Sequence, residues 1–185
     1  LGLAATGRSQ AVGGVVSVTA SDAVAAYLLP PLVKQLREQE PGIAIEVVPS
    51  NALSDLLRRE ADIAVRHVQP EQPELIARFI REATAHFYAS EDWVKTHGHP
   101  LSAEDAAQLP FVGSDRQGRY LGYLRAHGLP VNESNFSCYV DHTVAHWALV
   151  QQGLGIGAMM EEIARDTPVW SACSTMCRRS CSRSG

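Results

Sequence analysis

The chain has 185 residues, of which 45% are hydrophobic and 19% charged; this is typical of a folded globular protein and too apolar for a disordered one. Its 16 basic and 20 acidic residues give a formal charge of -4, without the basic excess of a nucleic-acid-binding surface. No apolar run approaches the roughly 20 residues of a membrane span, so we expect no membrane contact. The sequence does not begin with Met and lacks a secretion signal, so we expect a piece of a longer protein.

The first half of the chain alternates strand and helix patterns. Small, Gly-rich residues over 1–14 predict the end of a linker. The order β-α-β-α-β then predicts a parallel sheet with right-handed crossovers, which forms a first lobe over 15–75. The predicted elements are a strand over 15–18, a helix bent at Pro30-Pro31 that ends before Pro41, a strand over 43–48, a short helix over 53–59 and a strand over 61–65 buried on both faces.

The same alternation of strand and helix patterns recurs in the second half, after extended segments over 75–90. It predicts a second lobe over 76–160 with crossing strands, followed by a return segment over 161–168. The fold class is therefore α/β, with two lobes that are each an α/β sandwich and a cleft between them. Predicted helices lie over 91–97, 102–109, 117–127 and 143–150, and predicted strands over 110–113, 136–140 and 154–158.

Polar turns follow several of the predicted strands, and they are the candidate ligand contacts. Each turn alone is explained by a simple helix cap, but their repetition at one sheet edge predicts a ligand cleft. Free N–H groups of helix N-termini there suit a carboxylate or another small anion. Arg66 directly follows an apolar strand, where its guanidinium either binds a ligand carboxylate or is an exposed loop charge. The turns are Thr19 to Asp22, Pro49 to Asn51, Arg66-His67, Ser114-Asp115 and Asp141 to Thr143.

Catalytic, cofactor and metal sites are not favoured by the remaining motifs. No Ser or Cys lies in a nucleophile pattern such as G-x-S-x-G that could work with His67 or His142, so we expect no catalytic residue. The run from Gly153 to Gly157 lacks the Lys-Ser/Thr ending of a phosphate loop; it predicts a left-handed helix end and a closely packed strand, and no cofactor. The cysteines at 173, 177 and 181 have a conceivable metal-ligand spacing, but their Ser- and Arg-rich surroundings favour a non-native or disordered tail over 169–185 and no metal.

Taken in order, these segments resemble the effector-binding domain of LysR-type transcriptional regulators. The strand Asp62-Ile63-Ala64-Val65-Arg66 and the later Gly153-Leu154-Gly155-Ile156 turn carry most of the resemblance, which covers roughly residues 14–167. The supporting segments are 14–18 leading into Leu28-Leu29-Pro30, Pro41-Gly42-Ile43, Leu56-Leu57 and 148–157.

The resemblance implies a two-lobed fold like that of type 2 periplasmic binding proteins, with a small effector bound between the lobes. It implies a cytoplasmic homodimer or tetramer that contacts DNA only through an N-terminal helix-turn-helix outside this chain. Arg66 suggests an anionic effector. A solute-binding protein of a transporter and a small α/β enzyme are the alternatives. The implied effector-binding residues are Thr19, Ala20, Ser21, Asn51, Arg66, His67, Ser114, His142 and Thr143.

Two departures from the family pattern stand near the C-terminal end. Met159-Met160 occupies a place where the family usually has Pro, and 169–185 replaces the apolar strand and basic helix that return to the first lobe. When 169–185 is back-translated with GC-rich codons and read from the third base, one consistent choice of codons gives Leu-Glu-Arg-Val-Leu-Asp-Asp-Val-Pro-Pro-Val-Val-Leu-Ala-Val-Trp. We therefore expect the residues after about 168 to be out of frame and the first lobe to lack part of its structure.

Overall fold

The computed structural model describes residues 13–51, 61–67, 76–167 and 169–171. The helix predicted over 53–59, most of the linker predicted over 1–14 and the tail after residue 171 lie outside the described residues. The chain divides into two compact units, Leu1–Val68 and Gln69–Gly185. Both contain helices and strands, which confirms the α/β class; the predicted lobe boundaries stay predictions.

The first unit is built on a parallel sheet of three strands. These are β1 (Gly14–Ala20), β2 (Ile43–Pro49) and β3 (Ile63–Val65), in the order β2-β1-β3. The Asp62 carboxylate joins β3 to β1, because it accepts hydrogen bonds from the Ser17 N–H at 2.8 Å and the Ser17 hydroxyl at 3.0 Å. These bonds from the Ser17 backbone and side chain lower the pKa of Asp62.

The helical segment between β1 and β2 has a change of pitch before its two prolines. A π-helical turn over Val24–Leu28 leads directly into α1 (Leu29–Gln39). Pro30 and Pro31 have no N–H to donate to the preceding turn, and the wider turn before them is compatible with that loss. The bend predicted at Pro30-Pro31 stays a prediction, whereas α1 ends before Pro41 as predicted.

The predicted burial of β3 on both faces is wrong. Ile63 is 52% exposed, and Ala64 is also exposed. Among the described residues β3 pairs with β1 alone, so its other side has no neighbouring strand to shield these side chains.

In its described residues the second unit contains two small sheets, five α-helices and a short 3₁₀-helix over Glu133–Asn135. β4 (Ala85–Ser90) pairs antiparallel with β7 (Gly157–Met160) on one side and β8 (Val169–Ser171) on the other, while β5 (Phe111–Gly113) pairs parallel with β6 (Phe136–Tyr139). None of the helices in the described ranges is long and apolar enough to cross a membrane. The helices are α2 (Glu91–His97), α3 (Ala103–Ala106), α4 (Arg119–Ala126), α5 (Thr143–Gln151) and α6 (Glu161–Ala164).

Glycines hold the end of α5 and the start of β7 close to the second unit's core. Gly153 has φ +80°, as predicted for a left-handed helix end. A Cβ on Gly155 would lie 2.6 Å from the Pro110 carbonyl oxygen, and one on Gly157 would lie 2.4 Å from Val150 Cγ2. The prediction of a helix end followed by a closely packed strand is confirmed. The fully buried side chains here include Trp147, Phe111, Leu124, Ile156 and Val150.

Candidate functional site

The three strands of the first unit end at one edge of the sheet. In the parallel register, Ala20 at the end of β1 is level with Pro49 of β2 and Val65 of β3. The residues that follow these positions therefore emerge side by side at the carboxyl edge, where open α/β sheets bind ligands. The structure thus brings together six of the nine predicted contacts: Thr19, Ala20, Ser21, Asn51, Arg66 and His67.

Arg66 is held at this edge by two hydrogen bonds. Its Nη2 donates to Thr19 Oγ1 at 2.9 Å, and its Nη1 donates to the Val65 carbonyl oxygen at 3.1 Å. Thr19 is 7% exposed and Arg66 is half-buried. These two hydrogen bonds hold the guanidinium at the strand ends, where Arg66 is partly shielded from solvent.

The turns after β1 and β2 are joined through Asn51. Asn51 Oδ1 accepts a hydrogen bond from the Asp22 N–H at 3.1 Å, and the Ser50 N–H donates to the Ala20 carbonyl oxygen at 2.8 Å. Asn51 thus shapes the edge by holding one turn against the other. His67 is exposed at the same edge.

Ser21 places a buried polar atom at this edge. Its Oγ is buried and has no hydrogen-bond partner within the described ranges. A buried hydroxyl without a partner is unfavourable by about 1–3 kcal/mol, so such groups are usually satisfied by protein, water or ligand. The Ser21 hydroxyl therefore offers a ligand a donor and an acceptor beside the Arg66 edge.

The other three predicted contacts lie in the second unit. Ser114 follows β5, and His142 and Thr143 stand where α5 begins after β6. Gly113 is level with Tyr139 in the parallel pair, and the Val140 N–H donates to the Gly113 carbonyl oxygen at 2.9 Å. The two strand ends are therefore adjacent. The His142 ring is exposed, with its Nε2 4.0 Å from Asp141 Oδ1.

A separate recess of about 170 Å³ opens beside the start of α4 in the second unit. The predicted Ser114, His142 and Thr143 are not part of its lining. The Asp115 carboxylate satisfies backbone N–H groups at the start of α4, because it accepts hydrogen bonds from the Arg119 N–H at 3.0 Å and the Tyr120 N–H at 2.8 Å. Burial alone would raise the pKa of Asp115, but these backbone hydrogen bonds and the Arg119 charge lower it overall. The lining is Asp115, Arg116, Gly118, Tyr120, Leu121, Glu133, Phe136 and Tyr139.

Two buried titratable groups in the second unit are not among the predicted site residues. His146 is 3% exposed, with its Nε2 3.0 Å from the Val112 carbonyl oxygen, so this nitrogen carries a proton and donates. Burial lowers the pKa of His146. Tyr120 packs edge-on against it at 6.1 Å, and burial raises the Tyr120 pKa. The helical spacing of Tyr120 was visible in the sequence, but its packing against a histidine from α5 depends on tertiary contacts.

Metal coordination is not supported by the described part of the chain. No group of three or more His, Cys, Asp or Glu side chains that could hold a metal ion occurs there. Cys138 is a half-buried free thiol. The cysteines at 173, 177 and 181 lie outside the described residues.

Comparison with known proteins shows the family. The family model described as the LysR substrate binding domain matches residues 9–172. The chain belongs to this family. The α/β fold with its parallel first unit and the predicted resemblance are both confirmed by this match and by the similar structures.

Individual relatives are transcriptional regulators or their regulatory domains. The chain is 30% identical over 105 residues to the HTH-type transcriptional regulator CrgA of Neisseria meningitidis serogroup B, which is 57% of this chain and 35% of the relative. The chain thus spans about a third of that curated relative. The CrgA regulatory domain aligns with TM-score 0.74 and 24% identity over 86% of this chain and 81% of that one.

A second regulator has the same fold. Full-length AphB of Vibrio cholerae, described as a virulence activator, aligns with TM-score 0.68 and 23% identity. The alignment covers 90% of this chain and 59% of that chain. At this identity the similarity shows the fold alone.

Proposed function

We propose that this chain is the ligand-sensing regulatory domain of a LysR-type transcription regulator and binds a small, anionic effector. The effector would contact the carboxyl edge of the first unit at Thr19, Ala20, Ser21, Asn51, Arg66 and His67. Ser114, His142 and Thr143 stay predicted effector contacts of the second unit. Binding that favours one conformation would shift the population of regulator states, and the oligomer would transmit that shift.

The buried Ser21 hydroxyl beside the Arg66–Thr19 pair is the observation that carries the proposal. Arg66 Nη2 reaches Thr19 Oγ1 at 2.9 Å, which holds the guanidinium in place before a ligand arrives. A planar guanidinium binds a carboxylate through parallel N–H donors, and a neighbouring hydroxyl adds a further hydrogen bond. Positioned donors bind more tightly than mobile ones, because less side-chain freedom is lost on binding.

The test is a thermal-shift screen of small aliphatic and aromatic carboxylates, followed by calorimetric titration of each one that binds. An effector at about 100 times its Kd stabilises the folded chain by about 2.7 kcal/mol, which raises its Tm. Arg66→Lys keeps the charge but loses the planar donor pair, so we expect weaker binding. Arg37→Lys is the matched control, because Arg37 donates to the Pro41 carbonyl oxygen beside the start of β2, away from the carboxyl edge.

Two results would contradict this assignment of the site. One is equal weakening of effector binding by Arg66→Lys and Arg37→Lys. The other is turnover of a bound carboxylate that His67→Ala or His142→Ala abolishes, which would favour the enzyme alternative over a sensing domain.

The wider proposal concerns the complete protein. We propose that it acts in the cytoplasm without catalysing a reaction, assembles as a homodimer or tetramer, and contacts DNA through a helix-turn-helix encoded before this segment. The relatives named as HTH-type regulators support this organisation. Sequencing upstream of the codon for Leu1 tests it: a helix-turn-helix supports the regulator, and a secretion signal supports the solute-binding alternative.

A further inference from the structure

The described residues of the first unit bury little apolar surface. Its buried hydrophobic side chains, among the described residues, are Ala20, Ala23, Val24 and Leu29. Larger apolar side chains are left in solvent: Val15 is 68% exposed and Leu32 is 59% exposed. The second unit, in contrast, buries Trp, Phe, Leu, Ile and Val side chains. The first unit therefore has apolar surface that further structure would cover.

The side of β3 that faces away from β1 is the clearest part of this surface. Ile63, at 52% exposed, and Ala64 lie in a three-residue apolar strand that pairs only with β1 in the described part of the chain. Parallel strands are normally covered on both faces, and exposed edges normally carry Lys, Pro or a bulge. β3 has none of these features between Ile63 and Val65. Its composition is that of an interior strand.

The described residues after α6 add no strand beside β3, because β8 pairs with β4. The family match stops at residue 172. From 173 to 185 most positions are Cys, Ser or Arg, and none is Val, Leu, Ile or Phe. Such a segment has few side chains that could bury against a sheet edge. β8 (Val169–Ser171) lies before residue 173 and pairs with β4. This pairing uses backbone groups, which any residue except Pro provides, so it does not depend on the native side chains.

The codons of this tail encode a different amino-acid sequence when they are read in another frame. In the frame that begins at the third base of each codon, every Cys or Trp codon contributes its first two bases, TG, to the end of a new codon. Codons that end in TG encode Leu, Met or Val whatever base precedes them. Trp170, Cys173, Cys177 and Cys181 therefore all become apolar residues. Because Met176 has a single codon that ends in G, Cys177 becomes Val without any choice of codon.

This frame can also supply a strand. One consistent choice of codons in this frame reads Leu-Glu-Arg-Val-Leu-Asp-Asp-Val-Pro-Pro-Val-Val-Leu-Ala-Val-Trp. Pro-Pro followed by the continuous run Val-Val-Leu-Ala-Val is typical of a turn that leads into a strand buried on both faces. The exposed β3 edge needs a strand of this kind.

We propose that the residues after about 168 are read out of the native frame, and that the native frame encodes an apolar strand that pairs with the open edge of β3. The closely spaced cysteines are then a product of the frame and do not form a metal site. This inference is independent of the proposed effector.

The test uses the chain as it exists and a synthetic peptide of the sixteen-residue sequence above. Amide hydrogen exchange is measured at Ile63, Ala64 and Val65. The peptide at about 100 times its Kd is expected to slow exchange there about 100-fold, because opening of the edge must wait for its release. Replacing the run Val-Val-Leu-Ala-Val by Ser-Ser-Ser-Ala-Ser in a control peptide removes this protection.

Matched variants locate the binding. Ile63→Lys places a charge on the β3 edge and is expected to abolish protection by the peptide. Leu32→Lys changes an equally exposed apolar side chain on α1 and leaves protection intact. The proposal is overturned if the peptide leaves exchange at β3 unchanged. It is also overturned if the edge is already protected in a dimer that Ile63→Lys dissociates, since a second copy would then be the occupant.

The source locus gives an independent result. A single-base insertion or deletion near codon 168, relative to an intact copy of the gene that encodes the apolar segment, supports the proposal. An intact native gene that encodes the cysteine-rich tail in frame overturns it.

Discussion

Gly157→Ala in the second unit tests how tightly β7 packs against α5. The new Cβ would lie 2.4 Å from Val150 Cγ2 and 2.5 Å from His146 Cε1, whereas ordinary carbon–carbon contacts lie at about 3.5–4.0 Å. Val150 is 0% exposed and His146 is 3% exposed, so neither has space to move by the required ångström. We expect Gly157→Ala to lower the free energy of unfolding by about 1–3 kcal/mol, the usual range for overpacking a core.

The assay is urea unfolding followed by tryptophan fluorescence. Trp93, Trp147 and Trp170 all belong to the second unit, so the signal reports on that unit. Gly122→Ala is the matched control: Gly122 lies within α4, and a Cβ there would meet nothing within 4 Å. It should raise the free energy of unfolding by up to about 1 kcal/mol through helix propensity. Equal stability of Gly157→Ala and the unsubstituted chain would refute the packing argument.

Three further predictions follow from the second unit. Burial lowers the pKa of His146, so the neutral ring contributes to stability above about pH 6.5, the ordinary histidine pKa. This contribution is lost as the pH falls below that value, by at most about 1.4 kcal/mol per pH unit. His146→Gln should therefore flatten the dependence of Tm on pH, and an unchanged slope would contradict this. Asn135→Ala removes hydrogen bonds to the Ala107 and Leu109 carbonyl oxygens and should cost about 2–4 kcal/mol in urea unfolding, whereas Ser134→Ala should cost much less. The double substitution Phe79→Ser and Ile80→Ser removes two apolar side chains that are 78% and 77% exposed. It should reduce self-association measured by sedimentation velocity. Glu82→Gln is the control, because it leaves the apolar surface intact.

Local patterns were enough to predict most strands and helices, because their signals depend on near neighbours in sequence. The helix predicted over 102–109 is an example, because the Ser102 hydroxyl accepts the Asp105 N–H at 3.0 Å and caps the start of α3. The structural role of Gly153 also followed from its place between a helix and a strand. The burial of β3 could not be predicted in the same way, since an apolar run specifies what a strand needs and not which neighbours are present.

The first-unit edge was largely predictable for a similar reason. Strands that run parallel end together, so polar residues after β1, β2 and β3 had to meet. The sequence did not reveal that Asn51 would receive a hydrogen bond from Asp22, or that Ser21 Oγ would be buried. Both facts depend on how the turns fold against each other. His146 was missed because its burial results from packing between α5, β5 and β7.

The most direct test of effector binding at the first-unit edge is a backbone NMR titration with a carboxylate that raises the Tm. We expect saturable shifts at the amides of Ser21, Asn51, Arg66 and His67, and we expect Arg66→Lys to abolish them. Shifts confined to the recess residues Asp115, Tyr120 and Tyr139, with the first-unit amides unmoved, would contradict it.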